Sequence, residues 1–122
     1  MEVNSVGKRP GSGRPPRSVA YPVQAVRLGE ELALVALGGE VVVDYALRLK
    51  REFPHENLIV AGYSNDVMCY IPSLRVLKEG GYEVVDSMIY YGQPGPLDQA
   101  VETKVIETCR RVLKCAGTKV PQ

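Results

Sequence analysis

The chain has 122 residues, of which 45% are hydrophobic and 24% are charged, a balance typical of one soluble globular domain with a modest core. Its formal net charge of +1 gives no reason to expect nucleic acid as a partner, and no apolar run approaches the roughly 20 residues that span a bilayer. We therefore expect neither a nucleic-acid partner nor a transmembrane segment.

Residues 1–20 are rich in Gly, Pro, Ser and Arg and contain almost no large apolar side chain. Such a segment buries too little surface to offset the entropy that it would lose on ordering. The sequence therefore predicts a disordered arm over residues 1–20, followed by a single α/β domain over residues 21–122. No apolar segment completes a secretory signal, so we expect the chain, as written, to remain in the cytoplasm.

A β-hairpin is predicted directly after the arm. The stretch PVQAVRLG alternates, LALVALGG is an almost continuous apolar run, and a turn at residues 28–31 separates the two. Apolar side chains then recur at helical spacing over residues 42–53, which predicts an amphipathic helix. Because the apolar stretch NLIVAGY follows, residues 32–63 are predicted to form a right-handed βαβ crossover with parallel strands.

The second half of the chain offers further helices and one more strand. Pro72 and Ser73 cap a predicted short helix, LRVLKE, and the β-branched stretch YEVVDSMIYY is predicted to be a strand. GQPGP is predicted to be an irregular loop. Residues 97–116 place apolar side chains on one stripe, which indicates a long C-terminal amphipathic helix. The predicted fold class is therefore α/β, with a small mixed sheet.

The cysteines and the histidine limit the chemistry. Cys69, Cys109 and Cys115 form an odd set without a CxxC pair, which favours reduced thiols over disulfides or a zinc ribbon. Cys69, next to Tyr70, is the thiol whose exposure matters most for reactivity. His55 is the single histidine, in a predicted surface loop, so the sequence offers no histidine pair for a metal.

A polar rim is predicted where two parallel strands end. Glu40 follows the first strand across a Gly-Gly turn, and the loop AGYSNDVMCYIPS, which contains Tyr63, Asn65, Asp66 and Tyr70, follows the second. Because such loops open on the same rim, Glu40 should lie near Tyr70, and an oxygen-rich rim suits a divalent cation. Glu40 also fits a helix N-terminus through the dipole, and Tyr70 fits a half-buried core tyrosine, so these alternatives stay open.

Four stretches occur in a characteristic order: LGGEVVVDYALRLKRE, AGYSNDVMCYIPS, LKEGGYE and YYGQPGP. Together they resemble the last part of the catalytic domain of the neutral/alkaline ceramidase family, and above all its bacterial ceramidase-like members, over residues 21–112. The resemblance implies a zinc amidohydrolase that cleaves the N-acyl bond of ceramide. It also implies that zinc is held by two histidines from an early region of that domain and by Glu40 and Tyr70 from this last part. Tyr63, Asn65 and Asp66 are the candidates for further contacts at the rim.

The chain lacks a counterpart of the early region, and His55 matches neither family histidine. Catalytic zinc normally needs three protein ligands and an open position. We therefore expect the isolated chain to be inactive, as a shortened or split gene product would be, and a second polypeptide to supply the histidines. Exposed apolar surface would also favour a homo-oligomer. The alternative is a non-enzymatic α/β module whose rim binds a small polar ligand or a protein.

Overall fold

The computed structural model describes residues 1–4, 18–93 and 95–119, and these residues form an α/β fold. The strands within these ranges are β1 (Glu2–Asn4), β2 (Ser18–Ala20), β3 (Val23–Leu28), β4 (Leu32–Leu37), β5 (Glu40–Val41), β6 (Leu58–Ala61) and β7 (Tyr70–Ile71). The helices are α1 (Val43–Glu52), α2 (Leu74–Glu79), α3 (Ser87–Tyr90) and α4 (Val101–Cys115), with a π-helical turn at Tyr82–Asp86.

A three-stranded mixed sheet positions the rest of the fold. Strands β3 and β4 form the predicted hairpin, in which Val23 lies opposite Leu37 and Leu28 lies opposite Leu32. Strand β6 adds to β4 in parallel, with Ala33 opposite Leu58. Because α1 connects these two parallel strands, the predicted βαβ crossover is confirmed, and the loops that follow β4 and β6 open at the same end of the sheet.

The helices contribute one apolar face each to the core. Helix α1 buries Tyr45 and Leu49, and the hydroxyl of Tyr45 donates a hydrogen bond to the carbonyl of Pro72 at 2.9 Å. Helix α2 begins after Ser73, whose Oγ accepts from the amide of Val76 at 3.3 Å, so the predicted cap is confirmed. Helix α4 confirms the predicted C-terminal amphipathic helix, and the side chains that it buries are Val101, Val105, Ile106, Cys109 and Leu113.

Ion pairs and one backbone hydrogen bond connect three helices at the surface. Arg48 of α1 donates to Glu102 of α4 at 2.6 Å and to Glu52 of its own helix at 3.1 Å. Arg110 of α4 donates to Glu52 in return, at 2.7 Å. The second carboxylate oxygen of Glu102 accepts from the amide of Leu74 at 2.7 Å, at the beginning of α2. Each pair alone contributes little to stability, but the set fixes how α1, α2 and α4 lie relative to one another.

The stretch YEVVDSMIYY forms the π-helical turn and α3, so the prediction of a strand is wrong. Val84 and Met88 are buried, and Asp86 between them is exposed. In a strand, side chains alternate, and Asp86 would share the buried face with Val84 and Met88. A helix places residues four apart on one face, so burial of Val84 and Met88 without Asp86 overrides the strand propensity of the β-branched residues.

The predicted disordered arm is wrong at both of its ends. Strands β1 and β2 pair antiparallel, and Val3 opposite Val19 is fully buried in the main core. The amide of Tyr21 donates to the carbonyl of Met1 at 2.7 Å, which continues this pairing. Part of the segment that precedes residue 21 therefore packs in the core. Residues 5–17 lie outside the described residues.

A membrane span was not expected, and the helices agree with this. Among the described residues, no helix combines the length and the apolar character needed to cross a bilayer.

Candidate functional site

Glu40 and Tyr70 are direct partners in a two-stranded parallel ladder. Strands β5 and β7 pair with Glu40 opposite Tyr70 and Val41 opposite Ile71. The amide of Glu40 donates to the carbonyl of Cys69 at 2.9 Å, next to Tyr70. The two strands follow β4 and the loop after β6, so the predicted proximity of Glu40 to Tyr70 at the carboxyl ends of parallel strands is confirmed.

Gly39 connects the turn after β4 to the loop after β6. Its φ of 69° lies in the left-handed region that favours glycine. The amide of Gly39 donates to the carbonyl of Asp66 at 2.8 Å, and the carbonyl of Gly39 accepts from the amide of Tyr63 at 2.9 Å. The backbone of the loop is therefore attached to both the amide and the carbonyl of Gly39, directly before Glu40.

Tyr63 reaches the carboxylate of Glu40 from this loop. Its hydroxyl donates to Oε1 of Glu40 at 2.8 Å, while 63% of the residue stays exposed. This hydrogen bond is the main reason why the pKa of Tyr63 is raised, because ionisation of the phenol would place two negative charges side by side. Tyr63, one of the predicted rim residues, therefore contacts Glu40 directly.

Three more tyrosines belong to this site: Tyr70 and Tyr91 lie near Glu40, and Tyr82 packs against Tyr70. Partial burial raises the pKa of Tyr70 to about 12, and the neighbouring Glu40 carboxylate adds to this shift. Burial followed by the same carboxylate also raises the pKa of Tyr91. The rings of Tyr70 and Tyr82 meet edge to face, with centroids 5.9 Å apart and planes at 80°. We call Glu40 with Tyr63, Tyr70, Tyr82 and Tyr91 the tyrosine cluster.

Sequence analysis missed Tyr82 and Tyr91. They are the first and last residues of the stretch YEVVDSMIYY, and the two ends of an extended strand of that length lie too far apart for both to reach the rim. The signals that the sequence does contain are the Gly-Gly-Tyr and Tyr-Tyr-Gly steps at residues 80–82 and 90–92, since glycine steps commonly bring the chain back on itself. The helical turn that follows Tyr82 returns the chain to Glu40.

Asn65 and Asp66 serve the loop rather than the carboxylate. Asn65 has a φ of 67°, a left-handed conformation that asparagine tolerates better than most residues, and it is exposed. Oδ1 of Asp66 accepts from the amide of Val67 at 2.8 Å. Among the described residues, no hydrogen bond joins either side chain to Glu40. Of the predicted rim residues, the structure therefore brings together the side chains of Glu40, Tyr63 and Tyr70.

The donor set suits part of a metal site. A carboxylate oxygen is one of the usual zinc ligands, and the phenol beside it adds a second oxygen donor. No group of three or more His, Cys, Asp or Glu side chains within residues 1–4, 18–93 and 95–119 is arranged to hold a metal ion. Cys69 is buried, and burial raises the pKa of its thiol to about 11, so it stays protonated at neutral pH. Within the described residues, Glu40 and Tyr70 therefore offer neighbouring oxygen donors, but no further His, Cys, Asp or Glu completes a metal-binding group with them.

His55 lies at the other end of the sheet. It is exposed in the turn between α1 and β6, as the sequence predicted, and β6 begins beside the beginning of β4. An open cavity of about 670 Å³ borders this turn, and Arg27, Phe53, Glu56 and Lys119 are among the residues that line it. Because Glu40 follows the opposite end of β4, His55 does not belong to the tyrosine cluster.

Comparison of the chain with models of known protein families, with curated proteins and with solved structures finds no match.

Proposed function

We propose that the chain supplies half of a zinc amidohydrolase site, in which Glu40 and Tyr70 are two of the metal ligands. The substrate class is the N-acyl amide of a ceramide-like lipid, as the resemblance of four motifs to neutral ceramidases implies. The observation that supports the proposal most directly is the ladder pairing of Glu40 with Tyr70. This pairing brings together a carboxylate and a phenol that lie 30 positions apart in the sequence.

Zinc, when bound, would supply Lewis-acid chemistry to amide hydrolysis. The residues of this chain would bind the metal ion and fix its position. Glu40 would provide a charged oxygen from a backbone held by the hydrogen bonds of Gly39 and by the ladder to β7. Tyr70 would have to lose its proton to ligate, and its pKa of about 12 means that binding releases a proton and becomes tighter as the pH rises.

A second polypeptide segment would supply the histidine ligands. Apolar side chains next to the tyrosine cluster are available to contact it: Ile89 is 77% and Tyr90 86% exposed, and Tyr82 and Val85 are each about half exposed. Because Tyr82 packs on Tyr70, this surface is continuous with the ligands. Contiguous exposed apolar side chains favour association, so a histidine-bearing partner or a second copy would be accommodated here.

The alternative function is a non-enzymatic module that binds a small ligand or a protein. The cavity beside His55 supports it, because open cavities with a few polar groups are typical of ligand sites. This alternative requires no metal. It therefore predicts that changes at Glu40 and Tyr70 leave the metal content of the protein unchanged.

Metal content separates the two functions. The full chain, purified without chelator and without an affinity tag of histidines, is analysed for zinc by mass spectrometry beside the double variant Glu40→Ala, Tyr70→Phe. We expect zinc in the wild type and its loss in the double variant. The matched control is Glu79→Ala, which changes an exposed glutamate away from Glu40 and Tyr70. Zinc that is absent from the wild type, or equal in all three proteins, would contradict the proposal.

Activity tests whether the second polypeptide is needed. We expect the pure chain to release no fatty acid from ceramide above the rate of a buffer control, because two oxygen ligands leave the zinc site incomplete. Release by the pure chain that disappears in the double variant would show that the chain is sufficient by itself.

A further inference from the structure

Both faces of the sheet that β3, β4 and β6 form are apolar. Directly opposite residues of neighbouring strands share a face, so Val26, Leu34 and Ile59 lie side by side. Side chains alternate between the two faces along each strand. The face that carries these three residues, which we call the outer face, consists of Gln24, Val26, Leu28, Leu32, Leu34, Ala36, Ile59 and Ala61. Seven of these eight side chains are apolar.

Within the described residues, helices cover the opposite, inner face of the sheet. Helices α1 and α4 contact the sheet, and the inner-face residues Ala33, Val35 and Leu37 are fully buried with them in the main core. No side chain of the outer face belongs to this core as the described residues form it. Leu28 is 57% and Ile59 45% exposed. The outer face is therefore an apolar surface that is open to solvent.

The residues of the outer face are not those of a sheet surface that faces water. Where one face of a sheet is solvated, the strands alternate between apolar residues inward and polar residues outward. The outward positions of β4 are Leu32, Leu34 and Ala36, which are as apolar as its inward positions. Nearly continuous apolar strands with a parallel neighbour are typical of sheets that helices cover on both faces. Strand β4 therefore has the composition of a strand that is covered on its outer side as well.

We propose that the outer face binds an amphipathic helix of a partner protein. Three strands about 4.8 Å apart, two of them six residues long, form a face of roughly 14 Å by 20 Å. A helix is about 10 Å across, and about 13 residues span 20 Å, so one helix along β4 fills the face. Pairing with a second copy would bury roughly 300 Å² on each chain, whereas stable complexes bury about 800 Å² per partner. A docked helix requires only a few apolar anchors.

Charge at the turn between β3 and β4 indicates the chemistry of the helix. Glu30 and Glu31 are exposed at this end of the outer face, next to Leu28 and Leu32, and neither takes part in an ion pair with another described residue. Lys or Arg at the end of the helix that meets the turn would complement these carboxylates. The same carboxylates oppose an anionic lipid surface. The helix should therefore combine an apolar stripe with basic residues at one end.

The probe is a synthetic helix of about 13 residues, which a cross-link on its polar side keeps helical. It carries Leu on one stripe, Lys at one end and Gln elsewhere, and its binding to the full chain is measured by fluorescence anisotropy. We expect binding, with shifts of the methyl resonances of Leu28, Leu34 and Ile59 in nuclear magnetic resonance spectra. A control peptide of the same composition, with its Leu residues scattered around the helix, should not bind.

Two variants test the face and the turn separately. Leu28→Lys, Ile59→Lys should weaken binding by about 10-fold or more, because each lysine would lose water beneath the helix. Leu47→Lys, at a residue that is 56% exposed on α1, is the matched control and should bind as the wild type does. Glu30→Gln, Glu31→Gln should weaken binding by about 3-fold and reduce its dependence on salt. The turn variant changes no apolar residue, so it tests the site even if the lysines destabilise the fold.

The inference requires no metal, and its failure would leave the proposed function standing. It would be overturned if the striped peptide did not bind the wild type, or if the scattered peptide bound equally well. Binding that neither the lysine variant nor the turn variant weakens would also overturn it. A dimer in light scattering that Leu28→Lys, Ile59→Lys abolishes would assign the face to a second copy instead. Sedimentation with phosphatidylcholine vesicles that the same variant abolishes would assign it to lipid.

Discussion

A side-chain carbon added to Gly39 would lie 2.7 Å from the carbonyl oxygen of Cys69. It would also lie 2.8 Å from Cγ1 of Ile71, so both contacts are to the segment that carries Tyr70. Such distances are shorter than van der Waals contact. The close approach of β5 to β7, and with it the pairing of Glu40 with Tyr70, therefore requires glycine at this position.

The substitution Gly39→Ala tests this requirement. We expect it to lower the free energy of unfolding, measured in urea, by about 1–3 kcal/mol more than Gly29→Ala does. Gly29 is the matched control, because its φ of 62° is equally left-handed but nothing lies within 4 Å of an added carbon. The difference between the two variants isolates the steric contact. An equal decrease in the free energy of unfolding in both variants would mean that β5 and β7 can move apart without loss of stability.

The charge of Glu40 should be measurable through Tyr70. We expect Glu40→Gln to lower the pKa of the Tyr70 phenol from about 12, because the neighbouring negative charge no longer opposes ionisation. Burial is the larger cause of the shift, so the pKa should remain above the ordinary value of about 10. Titration of the tyrosine ring carbons by nuclear magnetic resonance measures it. Glu79→Gln serves as the control, and a pKa that moves equally in both variants would contradict the contact.

Two buried phenols should respond to removal of the hydroxyl in opposite directions. Tyr45→Phe leaves the carbonyl of Pro72 without its donor and should destabilise the fold by roughly 1–3 kcal/mol. The buried hydroxyl of Tyr21 has no hydrogen-bond partner among the described residues, so Tyr21→Phe should be neutral or should stabilise by about 1 kcal/mol. Urea unfolding of the two variants provides the comparison. A loss in Tyr21→Phe as large as that in Tyr45→Phe would reveal a partner for the Tyr21 hydroxyl.

Stability should fall at alkaline pH. Burial raises the pKa of Cys69 to about 11, of Cys109 to about 12 and of Tyr70 to about 12, and it also raises the pKa of Tyr45. In the unfolded chain these groups ionise near their ordinary values of about 8.5 for Cys and 10 for Tyr. The unfolded state therefore binds fewer protons above about pH 9, and the free energy of unfolding decreases as the pH rises toward about 12. Urea unfolding between about pH 8 and pH 11 measures this decrease.

The matched variant for this pH dependence is Tyr70→Phe, because it removes one of the contributing groups and keeps the ring. Its free energy of unfolding should decrease less steeply than that of the wild type over the same pH range. Identical slopes would indicate that Tyr70 ionises at the same pH in the folded and unfolded chains.

The apolar surface next to the tyrosine cluster should promote self-association. Ile89 and Tyr90 are the most exposed of its members, so the double variant Ile89→Lys, Tyr90→Ser should shift the chain toward monomer at micromolar concentration. Light scattering measures the mass. Leu47→Lys, which changes an exposed apolar residue on α1, is the control. A monodisperse wild-type monomer would remove the basis for this prediction.

Local patterns predicted most of the fold around Glu40. The hairpin, α1, β6, α2 and α4 each have a period or a cap that their own residues carry. The Glu40 and Tyr70 ladder was predicted only as a proximity, because it depends on parallel strand order rather than on local pattern. Local pattern did not predict that Tyr82 and Tyr91 join the tyrosine cluster, because their positions depend on how the chain turns after α2.

The errors arose where contacts distant in sequence decide the structure. Val84 and Val85 favour a strand by propensity, yet burial of Val84 with Met88 selects a helical turn. Strand β1 has only three residues, and its partner β2 lies beyond residues 5–17, so no local period indicates the pairing. Val3 reaches the core because of that long-range partner, a relationship that composition alone does not reveal.

Glu102 bears on how substitutions in this chain are interpreted. Its carboxylate holds Arg48 of α1 and the amide of Leu74, and α2 follows Tyr70 after three residues. A substitution at Glu102 would leave that amide without its acceptor and would allow α2, and the short strand before it, to move. In a screen for loss of function, Glu102 would therefore be grouped with Glu40 and Tyr70 although it lies on α4. The effect of the substitution would be recognised as indirect if a second change that restored the packing of α2, and left Glu40 and Tyr70 untouched, rescued the variant.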